Sequence, residues 1–324
     1  MKAVLCKSLE GPDGLKLEDI AAPDAGPGEV RVRVTAIGLN FADTLITRGK
    51  YQSKPELPFS PGAEISGVVD QLGPGVSQPK TGTRVMAYTG WGGAREFVVI
   101  PANAAIAIPD GVSDDVAAGL SITYGTAVHG LKDRGQLQTG ETVVVTGAAG
   151  GAGLAAVEIA KLMGARVIAV ASSPEKLAVA KASGADDVVQ FPGSDLKGAV
   201  KTLTGGKGAD AVYDCIGGEA AEPLVRSLAW GGRFLVVGFA AGEIPKIPLN
   251  LLLVKGAAIA GVFWGESVRR DPAGHAVNMA RLLGWVEDGQ LKPRIHAKFP
   301  LAQTADALRV LDRREAKGKV VVIV

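Results

Sequence analysis

The chain predicts an α/β protein in which a doubly wound parallel sheet, covered by helices on both faces, is joined to a β-rich domain built from both ends of the chain. Three observations carry this. From Thr142 onward, short apolar runs alternate with helical patterns at the spacing of a parallel sheet. From Met1 to about Pro109 the pattern is short alternating segments broken by Gly and Pro, without helical periods. After Trp264 the alternation stops. Helical patterns over 273–288 and 302–313 and an apolar strand over 318–324 do not extend it, so they return to the first domain. The predicted domains are therefore 1–115 with 265–324, and 116–264.

In order, Val30-Arg31-Val32-Arg33-Val34 alternates as a half-buried strand, and 64–72 and 84–87 follow as further strands. Gly73-Pro74-Gly75 and Thr81-Gly82-Thr83 punctuate them as turns. Residues 38–64 form a longer polar excursion from this scaffold, the kind of segment that commonly carries function. Beyond Pro109, Ser113 and Ser121 each begin a helix. Strands are then predicted at 142–145, 167–171, 187–190, 209–214 and 232–237, with helices at 154–163, 174–183, 195–203 and 219–228 between them. Residues 257–263, AAIAGVF, follow the last alternating strand and form an apolar sheet edge. Such an edge calls for cover, which predicts a homodimer through this domain.

The segment from Glu141 to Ala171 organises the rest. A β-branched strand runs into Gly147-Ala148-Ala149-Gly150-Gly151-Ala152-Gly153, then an Ala-rich helix, then a second strand. A glycine turn at a helix N-terminus brings bare backbone N–H groups to an anion, and this context reads as a Rossmann dinucleotide site, with Ala149, Gly150, Gly151, Ala152 and Gly153 against the pyrophosphate. An NAD site would end the second strand in an acid that grips the ribose 2′-hydroxyl. Ala171 stands there, followed by Ser172, Ser173 and Lys176, donors suited to a 2′-phosphate, so the expected cofactor is NADPH. Ser173-Pro174 is equally a helix start in its own right.

Composition excludes several classes. Among 324 residues, 35 Lys and Arg face 33 Asp and Glu, so no charge excess points to nucleic acid or a membrane surface. No apolar run approaches the ~20 residues of a membrane helix. The first residues alternate like a strand and meet acidic side chains early, so no export and a cytoplasmic location are expected. Two distant cysteines, Cys6 and Cys215, and three scattered histidines offer no zinc spacing, and no metal is expected. His129 reads as a capping or packing histidine, and Cys215 as a buried thiol without an activating base.

The segments GLNFADTLITRGKY, LPFSPGAEISGVV, SITYGTA, VVVTGAAGGAGLAAVEIAKLMGA and GKVVV together resemble the zinc-free quinone oxidoreductases of the medium-chain dehydrogenase/reductase superfamily, over essentially the whole chain. The resemblance implies a GroES-like catalytic domain beside the Rossmann domain, a homodimer, and NADPH-dependent reduction of quinone-like acceptors. It implies that Asn40 and Thr123 serve the nicotinamide and that Tyr51 reaches the cofactor or the substrate mouth. It also places Gly218, Gly238, Phe239, Phe263 and Trp264 around the nicotinamide half, and Phe191 near the adenosine phosphate. For Phe263 and Trp264, dimer packing is an equal account. Where zinc relatives carry ligands, this chain has Asn40 and Ala63. Where relatives often carry a tyrosine it has Leu45, which donates no hydrogen bond. Asn40 as a turn residue, Tyr51 as a loop anchor and Thr123 as a cap remain alternatives.

Three functions follow. The leading one is an NADPH-dependent quinone reductase. Reduction of α,β-unsaturated carbonyls, as alkenals or enoyl thioesters, needs the same architecture. A non-catalytic cofactor- or nucleic-acid-binding role is the third, and the balanced charge counts against it.

Overall fold

The computed structural model describes residues 1–324. In chain order, β1 (Lys2–Cys6), β2 (Leu15–Asp19) and the long β3 (Glu29–Leu39) precede a short helix α1 (Phe41–Ile46). Strands β4 (Glu64–Leu72), β5 (Arg84–Tyr88), β6 (Phe97–Pro101) and β7 (Ile106–Ala107) follow, then α2 (Asp114–Ala118) and α3 (Ser121–Val128). The alternating region comprises β8 (Thr142–Thr146), α4 (Gly151–Leu162), β9 (Arg166–Ala171), α5 (Pro174–Ala182), β10 (Asp187–Gln190), α6 (Leu196–Leu203), β11 (Ala209–Asp214), α7 (Ala221–Ser227), β12 (Leu228–Val236), α8 (Asn250–Leu253) and β13 (Ala258–Gly261). The tail carries α9 (Trp264–Arg270), α10 (Pro272–Glu287), β14 (Ile295–Pro300), α11 (Thr304–Asp312) and β15 (Lys319–Ile323).

Two compact units emerge, Met1–Ile122 with Ser267–Val324, and Thr123–Glu266. The first unit is built from both ends of the chain. It runs past the predicted boundary at 115 because α2 packs on β3. A side-chain carbon on Gly38 would lie 2.2 Å from the Ala118 carbonyl, and Ser66 donates to the Asp114 carbonyl at 2.8 Å. Its main sheet has the order β14-β15-β3-β4-β5-β7, with β6 also paired to β3. The alternation of β3 turns Val30, Val32 and Val34 into the core while Arg31 and Arg33 face outward. The predicted excursion begins later than expected: Gly38 and Leu39 belong to β3, and α1 follows at once.

The second unit is a six-stranded sheet of order β10-β9-β8-β11-β12-β13. All its pairings are parallel, which explains the unbroken apolar runs: Val143, Val144 and Val145 of β8 are fully buried. Strand β12 begins at Leu228, before the predicted 232, and its register with β11 shifts between Ala209 and Ala211. At the other edge, β13 is bonded to β12 alone within the chain, and Ile259 on it is 37% exposed. No helix is long and apolar enough to cross a membrane.

Candidate active site

In the second unit, β8 delivers the chain into the glycine turn. Gly147 takes φ +60°, and Ala148 N–H donates to the Val170 carbonyl at 3.1 Å, tying the turn to β9. Gly150 N-caps α4, whose first turn carries no acid. The glycines play different parts. At Gly153 a side-chain carbon would fall 2.2 Å from the Gly147 carbonyl oxygen, so only glycine lets α4 start this close to β8. At Gly150, φ is −77° and the nearest atom to such a carbon is 3.5 Å away, so neither backbone nor packing demands glycine. What glycine does there is leave the backbone bare in front of a helix N-terminus, with Gly151 and Ala152 half-buried beside it and Ala149 buried behind. The residues fit a dinucleotide pyrophosphate.

The end of β9 stands beside this turn. Ala171 is buried and pairs with Gln190 of β10, and Phe191 N–H donates to the Ala171 carbonyl at 3.0 Å. Phe191 packs on the core of the unit. Ser173 caps α5 by accepting from Lys176 N–H at 3.3 Å, while the Lys176 ammonium reaches Ser172 Oγ at 3.4 Å. The cap therefore leaves the Lys176 ammonium and the Ser172 hydroxyl side by side at the start of α5.

The ends of β11 and β12 converge on the same turn. A carbon on Gly147 would meet Ile216 at 2.8 Å, and one on Gly217 would meet the Phe239 ring at 2.9 Å. Asp214, buried and with its carboxyl pushed up by that burial, holds this loop by accepting from Thr146 Oγ1 at 2.5 Å and from the Ile216 and Gly217 amides. Gly238 N–H bonds the Asp214 carbonyl at 3.2 Å, and Gly218 N–H the Glu243 carbonyl at 3.2 Å. Gly218, Gly238 and Phe239 are therefore brought together. Trp264 is buried against Gly125 of α3, two residues beyond the buried Thr123, whereas Phe263 is 53% exposed. His129 is engaged by Asp133 at 3.0 Å. Burial and then Asp214 push the Cys215 thiol far up, which disfavours the thiolate.

The first unit holds a polar cluster that the sequence did not reveal. The Lys319 ammonium donates to Glu64 Oε1 at 2.6 Å, Asn40 Oδ1 at 2.7 Å and the Leu39 carbonyl at 3.0 Å. Asn40 Nδ2 donates to the same Glu64 oxygen at 2.9 Å, and Glu64 Oε2 accepts from Ile122 N–H at 2.8 Å. Beside them, Asp43 accepts from Asn40 N–H at 2.8 Å and from Gly62 N–H at 3.1 Å. Asp43 and Glu64 are fully buried, Lys319 is 4% exposed and Asn40 8%. Asn40 is thus more than a turn residue, and its amide is turned toward Lys319 and Glu64. Burial outweighs the two amide bonds to Asp43 and pushes its carboxyl up to about 6. Tyr51 and Tyr88 both have raised phenol pKa values, Tyr88 about 12, from burial first; a nearby Asp43 adds to both and Tyr51 adds to Tyr88. Tyr88 is opposite Glu64 in the β4–β5 register and shares its face of the sheet. Both phenols keep their protons at neutral pH. Leu45 of α1 is half-buried.

Asp43, Glu64 and Lys319 had a signal of sorts. Asp43 lies three residues after Asn40, a capping spacing, and Glu64 and Lys319 each open an apolar strand, where a charge needs a partner. No group of three or more His, Cys, Asp or Glu side chains is arranged to hold a metal ion.

Residues 26–110 match the family described as alcohol dehydrogenase GroES-like domain, and residues 151–280 match zinc-binding dehydrogenase. The quinone oxidoreductase-like protein 2 homolog of Nematostella vectensis is 42% identical over 99% of this chain and 88% of its own length. The chain belongs to the quinone oxidoreductases of the medium-chain dehydrogenase/reductase superfamily. Another member, the quinone oxidoreductase of Pseudomonas aeruginosa, is 33% identical over 99% of both chains. Among solved structures, the quinone oxidoreductase of Thermus thermophilus, determined alone and with NADPH, is 36% identical over 100% of both chains with a TM-score of 0.85. These likenesses make the chain an oxidoreductase with a GroES-like and a Rossmann-like part.

Proposed function

We propose that this oxidoreductase transfers a hydride from NADPH to quinone-like acceptors without a metal. The observation that carries the reading is the Lys319–Glu64–Asn40 cluster. An ammonium already sits on the oxygens that a metal cation would need, and Asn40 and Ala63 stand where zinc relatives place ligands. Without a Lewis acid to polarise a carbonyl, the acceptor must be electron-poor by itself, as a quinone is. When bound, the dinucleotide supplies the hydride. Gly150 through Gly153 would hold its pyrophosphate, and Ser172 and Lys176 its 2′-phosphate, with Ala171 contributing no repelling charge.

Asn40, Tyr51 and Thr123 are proposed to serve the nicotinamide and the acceptor. Lys319 and Glu64 fix the Asn40 amide, and Tyr51, protonated at neutral pH, can donate to an oxygen as it gains charge. That same phenol supports a second reading, reduction of α,β-unsaturated carbonyls, where a proton must reach carbon. Steady-state NADPH oxidation with 1,4-naphthoquinone and with trans-2-nonenal, before and after dialysis against a chelator, separates these. Faster turnover of the quinone, unchanged by chelation, is expected. A preference for the alkenal favours the second reading, and activity lost on chelation and restored by zinc would overturn the metal-free mechanism.

A further inference from the structure

In the first unit, Arg31, Arg48 and Arg84 each rest on an aspartate, Asp70, Asp312 and Asp114 respectively. Arg95 does not. Its guanidinium makes no ion pair, and its Nε is shielded from solvent with no hydrogen-bond acceptor. Burial alone lowers its pKa, with no carboxylate opposing the effect. A partly buried cation with no carboxylate beside it calls for a partner.

A second group nearby is in the same condition. The Ser60 hydroxyl is fully buried and unpartnered. The two come from segments laced together by three backbone bonds: Gly92 N–H to the Ser60 carbonyl at 2.8 Å, Ala94 N–H to Pro61 at 2.9 Å, and Gly93 N–H to Gly62 at 2.8 Å. The Arg95 guanidinium folds back over Gly92, 3.5 Å from where a side-chain carbon would stand, and the neighbouring Trp91 exposes 45% of its surface. The same lacing leads to the polar cluster, since Gly62 N–H bonds Asp43, Thr89 N–H bonds the Ala63 carbonyl, and Glu64 faces Tyr88. From Ser60 to Glu64 is four residues, at most about 14 Å of chain, a span that one small molecule can bridge.

We propose that the acceptor carries a carboxylate, and that Arg95 receives that group. The partner must bring both lone pairs and negative charge, because guanidinium only donates. The inference rests on the quinone-reductase reading and adds the class of substrate to it.

The test uses a matched pair, carboxymethyl-1,4-benzoquinone and its methyl ester, which differ in charge at nearly constant shape. Calorimetric binding and NADPH-dependent kcat/KM are measured for both on the wild type, Arg95→Met and Arg95→Lys. The wild type should favour the acid over the ester by roughly ten- to hundredfold, in line with a charge-assisted hydrogen bond. Arg95→Met, which keeps a stem to pack, should bring that ratio near one, and Arg95→Lys should retain part of it. Raised salt should shrink the wild-type preference. Equal binding of acid and ester by the wild type overturns the proposal, as does a preference that survives in Arg95→Met. If neither compound is turned over but the acid still binds preferentially through Arg95, the quinone-reductase reading fails and the carboxylate site stands.

Discussion

Replacing Lys319 with Met should unsettle the first unit far more than a conservative loss of one amine suggests. All three ammonium donors are in use, on Glu64, Asn40 and the Leu39 carbonyl, and the group is nearly sealed from water. Its removal leaves the Glu64 carboxylate fully buried with only the Asn40 and Ile122 N–H groups to offset its charge. Breaking a buried pair from one side costs about 3–5 kcal/mol, because the remaining charge is uncompensated. If Glu64→Gln is added, neither member of this pair carries a charge, and the loss reduces to mismatched hydrogen bonds of about 1–3 kcal/mol. The double variant should therefore be more stable than Lys319→Met alone, by about 2 kcal/mol. Because the chain has two units, a single unfolding curve can blend two transitions. Native-state hydrogen exchange resolves them. Amides of β3 and β15 should lose protection in Lys319→Met while those of β8 and β11 keep it. A loss below about 1 kcal/mol, or equal loss in both units, would falsify the view that this ammonium closes the cluster.

Three further outcomes are expected. Asp43 has a folded pKa of about 6 against 3.8 for an ordinary aspartate, so the folded state holds an extra proton between those values, and stability from this group falls as pH rises from about 4 to 6, by ~3 kcal/mol in total; the difference between wild-type and Asp43→Asn denaturation midpoints across pH 4–7 should trace that loss, and a difference independent of pH argues against it. Lys176→Ala should weaken NADPH by roughly 1–3 kcal/mol and NADH much less in fluorescence titrations, and equal weakening rejects the 2′-phosphate assignment. The open side of β13, with Ile259 partly exposed, should pair with its mate in a homodimer, so light scattering should give twice the chain mass for the wild type and a lower mass for Ile259→Lys, and a monomeric wild type at micromolar concentration contradicts the pairing.

What could be read from the sequence was local. The glycine turn, the missing acid at Ala171 and the cap at Ser173 lie within a single strand–helix–strand unit, and the periods of 2 and 3.6 expose them without knowledge of the fold. The polar cluster was illegible for the opposite reason. Glu64 and Lys319 are 255 positions apart, and only the antiparallel pairing of β15 with β3 and of β3 with β4 brings them to one point. Asn40 could be singled out by its place in a motif, yet the direction of its amide depends on those two distant charges. Likewise, α1 hid inside a segment that reads as polar loop, because six residues are too few to display a helical period.

The separation of Glu64 from Lys319 also sets an order of assembly during synthesis. At about 5–20 residues per second, roughly 13–50 s pass on the ribosome between the appearance of the carboxylate and that of its ammonium. The second unit, continuous from Thr123 to Glu266, is fully translated within that interval. The first unit must wait, with β3 and β4 formed at best around an unneutralised acid, until β15 emerges and is laid along β3. Nascent chains halted before residue 319 should therefore present a finished nucleotide-binding sheet attached to an open β unit, a species whose bare β3 edge invites chaperones and proteases.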